Sequence, residues 1–362
     1  MKKAKKILII NTVGLIYDGI TSVITSYLEV MDKSNLEFYV VSTIKAEPNI
    51  EEKIKKMGCE IIHMPSRRNE TIRYFFKLLV FIRKNKIEVL HAHGNSGTLV
   101  IELLAAWLGG CQKRIAHSHN TKCEQVKADK ILRPVFKLLY TDALACGDAA
   151  GKWLFGKKKF TVLKNGRDIN KYLFCPEKRD EIRNKYALAE TIVIGHVGGF
   201  VKQKNHVFLI KVFREILKIK PNAILILIGS GPLQEEIKMS VKDIKEHVIF
   251  TGAVDNVADY LQALDGALLP SLFEGLPLVT IEWQINGLPC LLSDTITKEC
   301  KLTKSLKFES LKDEPQIWAN DIVKMISISN RKVDSLASIK LIQEKGFDIR
   351  DNAQILRNIY LS

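Results

Sequence analysis

The sequence predicts an α/β protein built from two doubly wound parallel-sheet domains, and three observations carry that reading. Short apolar runs alternate with stretches of helical spacing along almost the whole chain, the pattern of a parallel sheet wrapped by its crossover helices. At 362 residues, 46% hydrophobic and 26% charged, the chain is long for one domain and comfortable for two. The charge is split between two unlike halves. Residues 1–180 hold 32 Lys+Arg against 18 Asp+Glu, and residues 181–362 hold 23 against 22, so +14 of the formal +15 lies in the first half.

The elements follow in order. Residues 6–11, KILIIN, make a first buried strand, and the loop TVGLIYDGITS then opens a helix running to about Met31. Gly14 and Gly19 allow close backbone approach, and Thr21 or Ser22 is expected to cap the helix. The loop is not G-x-G-x-x-G, so a dinucleotide fingerprint is absent. LEFYVVST, CEIIHMP and IEVLHAHG read as strands, separated by helices over 49–57 and about 70–85. Around the second helix, Arg67, Arg68, Arg73, Lys77, Arg83, Lys84 and Lys86 surround Tyr74, Phe75, Phe76 and Phe81. That composition suits a helix lying on an anionic membrane surface, and equally a crossover helix in a basic domain. Nucleic acid, the rival polyanion, lacks a recognised binding motif here.

Two histidine pairs follow strands, His91 and His93 in VLHAHGN and His117 and His119 in RIAHSHN. Both sit where open α/β sheets place their ligands. Four imidazoles are enough for a zinc site, but strand alternation leaves one histidine of each pair expected to reach the ligand side, and no metal is expected. The seven cysteines (59, 111, 123, 146, 175, 290, 300) include no C-x-x-C pair, which fits reduced thiols in the cytoplasm. The most apolar run, 99–110, contains Glu102 and is too short to span a bilayer. The basic start MKKAKK leads directly into a strand, without the form of a signal peptide.

Domain organisation is expected as 1–180, a first Rossmann-like domain; 181–345, a second; and 346–362, a last helix crossing back onto the first. The string VLKNGRDINKY turns at Asn165 and Gly166 between them. In the second half, TIVIGHVGGFVKQKNH, AILILIGSGPL and HVIFTGAVDNVADYL each read as a strand with its following loop, and the stretches 314–327, 333–344 and 350–360 read as helices.

The stretch 267–294, ALLPSLFEGLPLVTIEWQINGLPCLLSD, carries the most chemistry. A strand closed by Pro270 leads through FEGLPLV into a helix from Leu278, stopped by Gly287 and Pro289, before the strand 288–292. Gly275 leaves the backbone open, and Pro277 pre-sets the first helical turn. The amides of Gly275, Leu276, Leu278 and Val279 then converge at a helix N-terminus, a setting for a diphosphate. Glu274 and Glu282 bracket that cradle, and carboxylates accept hydrogen bonds from vicinal hydroxyls, so the pair suits a sugar and a ribose flanking the diphosphate.

This stretch resembles the E-x7-E signature of family 4 retaining glycosyltransferases of the GT-B fold, those of capsular and exopolysaccharide synthesis, and the likeness extends over the chain. It implies two Rossmann-like domains facing a cleft, and transfer of a hexose from a nucleotide-diphospho-sugar, UDP-linked, to a glycan or polyprenyl-diphosphate-linked acceptor. In the family the first Glu faces the transferred sugar and the second holds the ribose, which maps onto Glu274 and Glu282. His93 is the residue near the transferred sugar, and His119 with Asn120 lines the acceptor side. The first Gly-rich loop, with Gly19, reaches toward the donor phosphates, and the GSGP and TGAVDN loops, with Gly229 and Val254, line base and ribose. Members carry an Arg and a Lys that neutralise the leaving diphosphate; Lys204 fills the second place, while Gly199 stands in the first. No D-x-D triplet occurs, so neither metal nor other cofactor is expected. The alternatives are a GT-B sugar-nucleotide epimerase and a non-catalytic, partner-dependent sugar-nucleotide-binding subunit. The expected location is cytoplasmic, peripheral on the inner face of the membrane.

Overall fold

The computed structural model describes residues 4–43 and 47–362; the first three residues of the basic start lie outside them. The chain forms two compact units, residues 1–166 with 348–362, and residues 167–347.

In the first unit the strands are β1 (Lys5–Asn11), β2 (Leu36–Ser42), β3 (Glu60–His63), β4 (Val89–His93), β5 (Lys113–Ser118), β6 (Asp142–Ala145) and β7 (Thr161–Val162). They pair in parallel in the order β3-β2-β1-β4-β5-β6-β7. The order reverses between β1 and β4, and the crevice outside that reversal is where such sheets hold ligands. Leu8, Ile10, Leu90, Ala92 and Ala116 face one core under the helices Thr71–Asn85, Val100–Leu108 and Val126–Leu139.

The second unit repeats the scheme with β8 (Val193–Val197), β9 (Ile224–Ile228), β10 (Val248–Gly252), β11 (Gly266–Leu269), β12 (Cys290–Ser293) and β13 (Leu306–Glu309), in the order β10-β9-β8-β11-β12-β13. Its reversal lies between β8 and β11, which pair through Gly266 and Ile194. The central strands are near-continuous Val, Ile and Leu because helices cover both faces, seen as two separate apolar clusters.

Three expectations are corrected here. The division falls at 166/167 instead of 180/181. Residues 167–180 are held by the second unit: Cys175 N donates to Gln262 Oε1, and Arg179 donates to the carbonyls of Gln262, Ala263 and Leu264 and to Asp265. The helix after β1 is Gly19–Val30, and its cap is Asp18, whose carboxylate accepts from Thr21 N at 2.7 Å. Thr21 and Ser22 already lie inside the helix, and Asn11 Nδ2 donates to the Thr21 hydroxyl. Arg67 does not belong to an exposed basic face, because it is bound to the fully buried Glu102 at 2.6 Å.

The last helix, Ile349–Leu361, belongs to the first unit. Asn352 donates to the Lys164 carbonyl, Lys113 to that of Ile359, and the Tyr360 ring lies edge-on to Phe38.

Candidate functional site

The best-defined candidate site lies at the strand reversal of the second unit. β8 runs out into Gly198-Gly199 and a single tight turn, Lys202–Lys204, while β11 runs out into Pro270-Ser271 and the FEGLP loop. Lys204 Nζ donates to Glu274 Oε1 at 2.6 Å, and Ser271 Oγ donates to the same oxygen at 2.9 Å. Glycine at 198 makes this possible, since a Cβ there would stand 2.9 Å from Lys204 Cε. Position 199 is different: a Cβ would meet nothing closer than 3.5 Å, the Ser230 carbonyl, so side-chain space is open where relatives are expected to carry Arg.

The adjacent loops explain two more glycines. Gly229 has φ +141°, and a Cβ on it would fall 2.1 Å from the Gly198 carbonyl oxygen, so the loops after β8 and β9 touch backbone to backbone. Val254, in the loop after β10, packs part-buried on the core cluster below it.

After Glu274 the chain passes Gly275, around which nothing stands within 4 Å of a would-be Cβ, and enters the helix Leu278–Ile285. Its cap residue is Pro277, which offers no side-chain acceptor, and the first turn carries no acid. The positive end of the helix, with the amides of Leu278 and Val279, is therefore not neutralised by its own sequence.

Glu282, one turn into that helix, meets a residue that sequence reasoning passed over. Its Oε1 accepts from Arg167 Nε at 2.7 Å, with side-chain exposures of only 10% and 3%. Each of the two acids thus has its own cation, Lys204 for Glu274 and Arg167 for Glu282. A buried carboxylate on an apolar helix face requires a cation, which is the signal that would have pointed to Arg167.

Two buried histidines beside Lys204 were also not anticipated. His196 bonds the Leu268 carbonyl through Nδ1 at 2.9 Å, and His206 stacks on Phe200 at 4.3 Å. Among the described residues, His196 Nε2 and both nitrogens of His206 have no hydrogen-bond partner. Burial, reinforced by the Lys204 charge, lowers the His206 pKa to about 4.

At the reversal of the first sheet, Asn11 at the end of β1 pairs in register with His93 at the end of β4. Asn11 ties down the following loop through the Gly14 carbonyl and Thr21, and Gly14 takes φ +102°. Gly19 opens the next helix with free space around its α-carbon. Burial raises the pKa of the capping Asp18.

The histidines contradict the expectation that one of each pair reaches the ligand side. Residues two apart on a strand share a face, so His91 and His93 stack at 4.1 Å, and His117 and His119 lie tilted against each other at 4.2 Å. The two pairs are joined by His91 Nε2 to His117 Nδ1 at 3.1 Å and His93 Nδ1 to His119 Nε2 at 2.8 Å. Tyr360 closes one end by bonding His91 Nδ1 at 2.6 Å. One nitrogen each of His91, His93 and His117 falls within 4.8 Å of the others, close enough for metal ligation. Both nitrogens of His91 are nevertheless committed to hydrogen bonds, and stacked rings aim their in-plane lone pairs side by side instead of at one point. Burial drives His91, His93 and His117 well below the usual imidazole pKa and His119 to about 3. The array is neutral, and His93 acts as a hydrogen-bonding group, not a cation. His119 is part-exposed, with its amide donating to Asn95 Oδ1, and Asn120 is exposed beside it.

The chemistry of the second-unit site is that of a cation and a bare helix end for an anion, with acids set to accept from hydroxyls. Residues 191–327 match the family described as glycosyl transferases group 1. The putative glycosyltransferase EpsF of Bacillus subtilis is 30% identical over 366 residues, covering 96% of this chain and 94% of that protein. The chain belongs to the group 1 glycosyltransferases, and its two units are those of the GT-B fold. The UDP-Gal:alpha-D-GlcNAc-diphosphoundecaprenol alpha-1,3-galactosyltransferase of Escherichia coli is 26% identical, covering 80% of this chain and 79% of that enzyme. Among solved structures, Anabaena HepE in complex with UDP and glucose superposes with TM-score 0.80, 17% identity, and coverage of 99% and 100%. No helix among the described residues is long and apolar enough to cross a membrane.

Proposed function

We propose that this glycosyltransferase moves a hexose, with retention of anomeric configuration and without a metal, from a UDP-sugar to a glycan or polyprenyl-diphosphate-linked glycan in surface polysaccharide synthesis. The observation that carries the reading is the Lys204–Glu274 pair beside the uncapped N-terminus of Leu278–Ile285. A diphosphate competes with Glu274 for Lys204 and adds the amides of Leu278 and Val279, so leaving-group charge is stabilised by one side-chain cation and a helix end. Glu274, once its ammonium partner turns to phosphate, accepts from hydroxyls of the sugar, and Glu282, held by Arg167, accepts from the ribose. The acceptor hydroxyl attacks from the face the diphosphate leaves, and its proton passes to a diphosphate oxygen, so no enzyme nucleophile forms a bond. The first unit offers His93 to the transferred sugar and binds the acceptor through His119 and Asn120, and its net positive charge draws it to an anionic membrane surface at the inner face of the cell membrane.

The E. coli relative, named for a UDP-sugar donor and a diphosphoundecaprenol-linked acceptor, and the UDP complex of the Anabaena protein support donor and acceptor class. The test is calorimetric titration with a panel of nucleotides and sugar nucleotides, repeated on Glu282→Ala. UDP compounds are expected to bind, and the substitution to weaken them by roughly 1–3 kcal/mol, the cost of losing a charged acceptor from paired hydroxyls. Equal affinity in variant and parent removes Glu282 from the ribose site.

A further inference from the structure

Three helices of the first unit, Thr71–Asn85, Val100–Leu108 and Val126–Leu139, follow three successive crossovers in one direction across the sheet, so they form one layer on one face. The middle helix packs against both neighbours, and Leu78, Ile82, Leu103 and Phe136 beneath them share a single core. Their outer surface is unusual in two respects.

First, it is apolar at its crests. On Val126–Leu139 the outward positions 127, 131, 134 and 138 hold Lys, Ile, Pro and Leu, with Ile131 74% and Leu138 81% exposed. On Thr71–Asn85 the outward positions 72, 76 and 80 hold Ile72, Phe76 and Val80, all exposed. Trp107 is exposed at the end of the helix between them.

Second, every charge that the three helices themselves show to solvent is positive; just ahead of them stand Glu70, paired with Arg73 at 2.7 Å, and the exposed Glu124. Thr71–Asn85 carries four basic residues and no acid. The only acids of the other two helices, Glu102 and Asp129, are buried and bound to Arg67 and Arg133 at 2.6 and 2.8 Å. Lys127, Lys130 and Lys137 stay exposed beside the apolar crest, long enough to lie along it with their ammonium groups at headgroup level. Isolated exposed apolar residues need no explanation, but two crests flanked mainly by cations do.

We propose that this three-helix face docks on an anionic lipid bilayer, with Ile131, Leu138, Ile72 and Phe76 entering the interface and the flanking lysines and arginines meeting lipid phosphates. Nucleic acid offers no apolar phase for the crests, and the net positive charge opposes pairing with a second copy of the same face. The proposal deepens the reading of a membrane-linked acceptor by naming the surface that meets the membrane, and it is tested apart from the donor site.

The experiment is co-sedimentation of the full chain with vesicles of phosphatidylcholine alone and of equal parts phosphatidylcholine and phosphatidylglycerol. Parent, Ile131→Ser/Leu138→Ser and Lys127→Ala/Lys130→Ala are compared, with UDP affinity measured on each. The parent is expected to bind the anionic vesicles at least tenfold more tightly, by order of magnitude, than the neutral ones. Each lysine removed should weaken binding roughly fivefold, and the serine pair should weaken it by a similar or larger factor. Both variants change solvent-exposed positions, so fold and UDP affinity should match the parent, which separates failure of the face from failure of the donor site. The proposal is overturned by equal binding to neutral and anionic vesicles, or by variants that bind vesicles as the parent does. It is overturned equally if vesicles are not bound while the serine pair abolishes self-association, or while an oligonucleotide is bound regardless of that pair.

Discussion

Replacing Arg167 with Leu separates what the buried ion pair does for the fold from what it does for the ligand. The change leaves Glu282 facing an apolar group at 10% side-chain exposure, without the guanidinium now 2.7 Å away. Breaking a buried pair by removing one partner costs about 3–5 kcal/mol, and the residual exposure of Glu282 argues for the lower end. About 3 kcal/mol corresponds to a fall of roughly 6–12 °C in the melting transition of a unit this size. In Arg167→Leu/Glu282→Leu no charge is stranded, so at least about 2 kcal/mol of that loss should return. UDP affinity should behave oppositely, remaining weak in the double variant because the acceptor for the ribose is gone. The assay is scanning calorimetry of the full chain, read on the second unit's transition, with UDP titration of the parent and both variants. Equal melting losses in single and double variants would refute the argument that the pair is electrostatically coupled. Restored UDP affinity in the double variant would refute the ligand role of Glu282.

Gly199→Arg should be accepted, since a Cβ there meets nothing closer than 3.5 Å, and the added guanidinium beside Lys204 should tighten UDP by about 1.5 kcal/mol, read by titration. Gly229→Ala, by contrast, puts a methyl 2.1 Å from the Gly198 carbonyl at φ +141° and should lower the melting temperature of the second unit, measured by calorimetry. Stability should also depend on pH through the imidazole array. Its histidines have folded pKa values below the unfolded one, His119 at about 3, so the unfolded chain binds more protons. Their stabilisation is complete above about pH 6.5 and is lost as pH falls below it, at up to about 1.4 kcal/mol per histidine per pH unit. Calorimetry of the first unit between pH 7 and pH 5 should show a steep decline, and a flat profile would contradict the burial of the array.

The parallel sheets were legible in the sequence because strands covered on both faces read as unbroken apolar runs, and glycine stops several of the helices between them, as at Gly109, Gly156 and Gly287. The Glu274 loop was legible because FEGLP writes an open helix start into five consecutive residues. Arg167 was not, because its partner lies 115 residues later and KNGRD alone reads as a turn. The boundary was misplaced for the same reason: what fixes 167–180 to the second unit is Arg179 reaching the carbonyls at 262–264, which no local pattern announces. The cap at Asp18 competed with two hydroxyl residues three and four positions later, and only the backbone path out of β1 decides among them. The histidine array follows from strand periodicity correctly applied to VLHAHGN and RIAHSHN, together with the register that sets His93 opposite His117.

The most direct test of the donor site is a crystal structure of the protein soaked with UDP. The account predicts the β-phosphate within hydrogen-bonding distance of Lys204 Nζ and of the Leu278 and Val279 amides, the Lys204–Glu274 contact opened, and the ribose hydroxyls on Glu282. A diphosphate bound elsewhere on the second unit, with Lys204 still on Glu274, would contradict it.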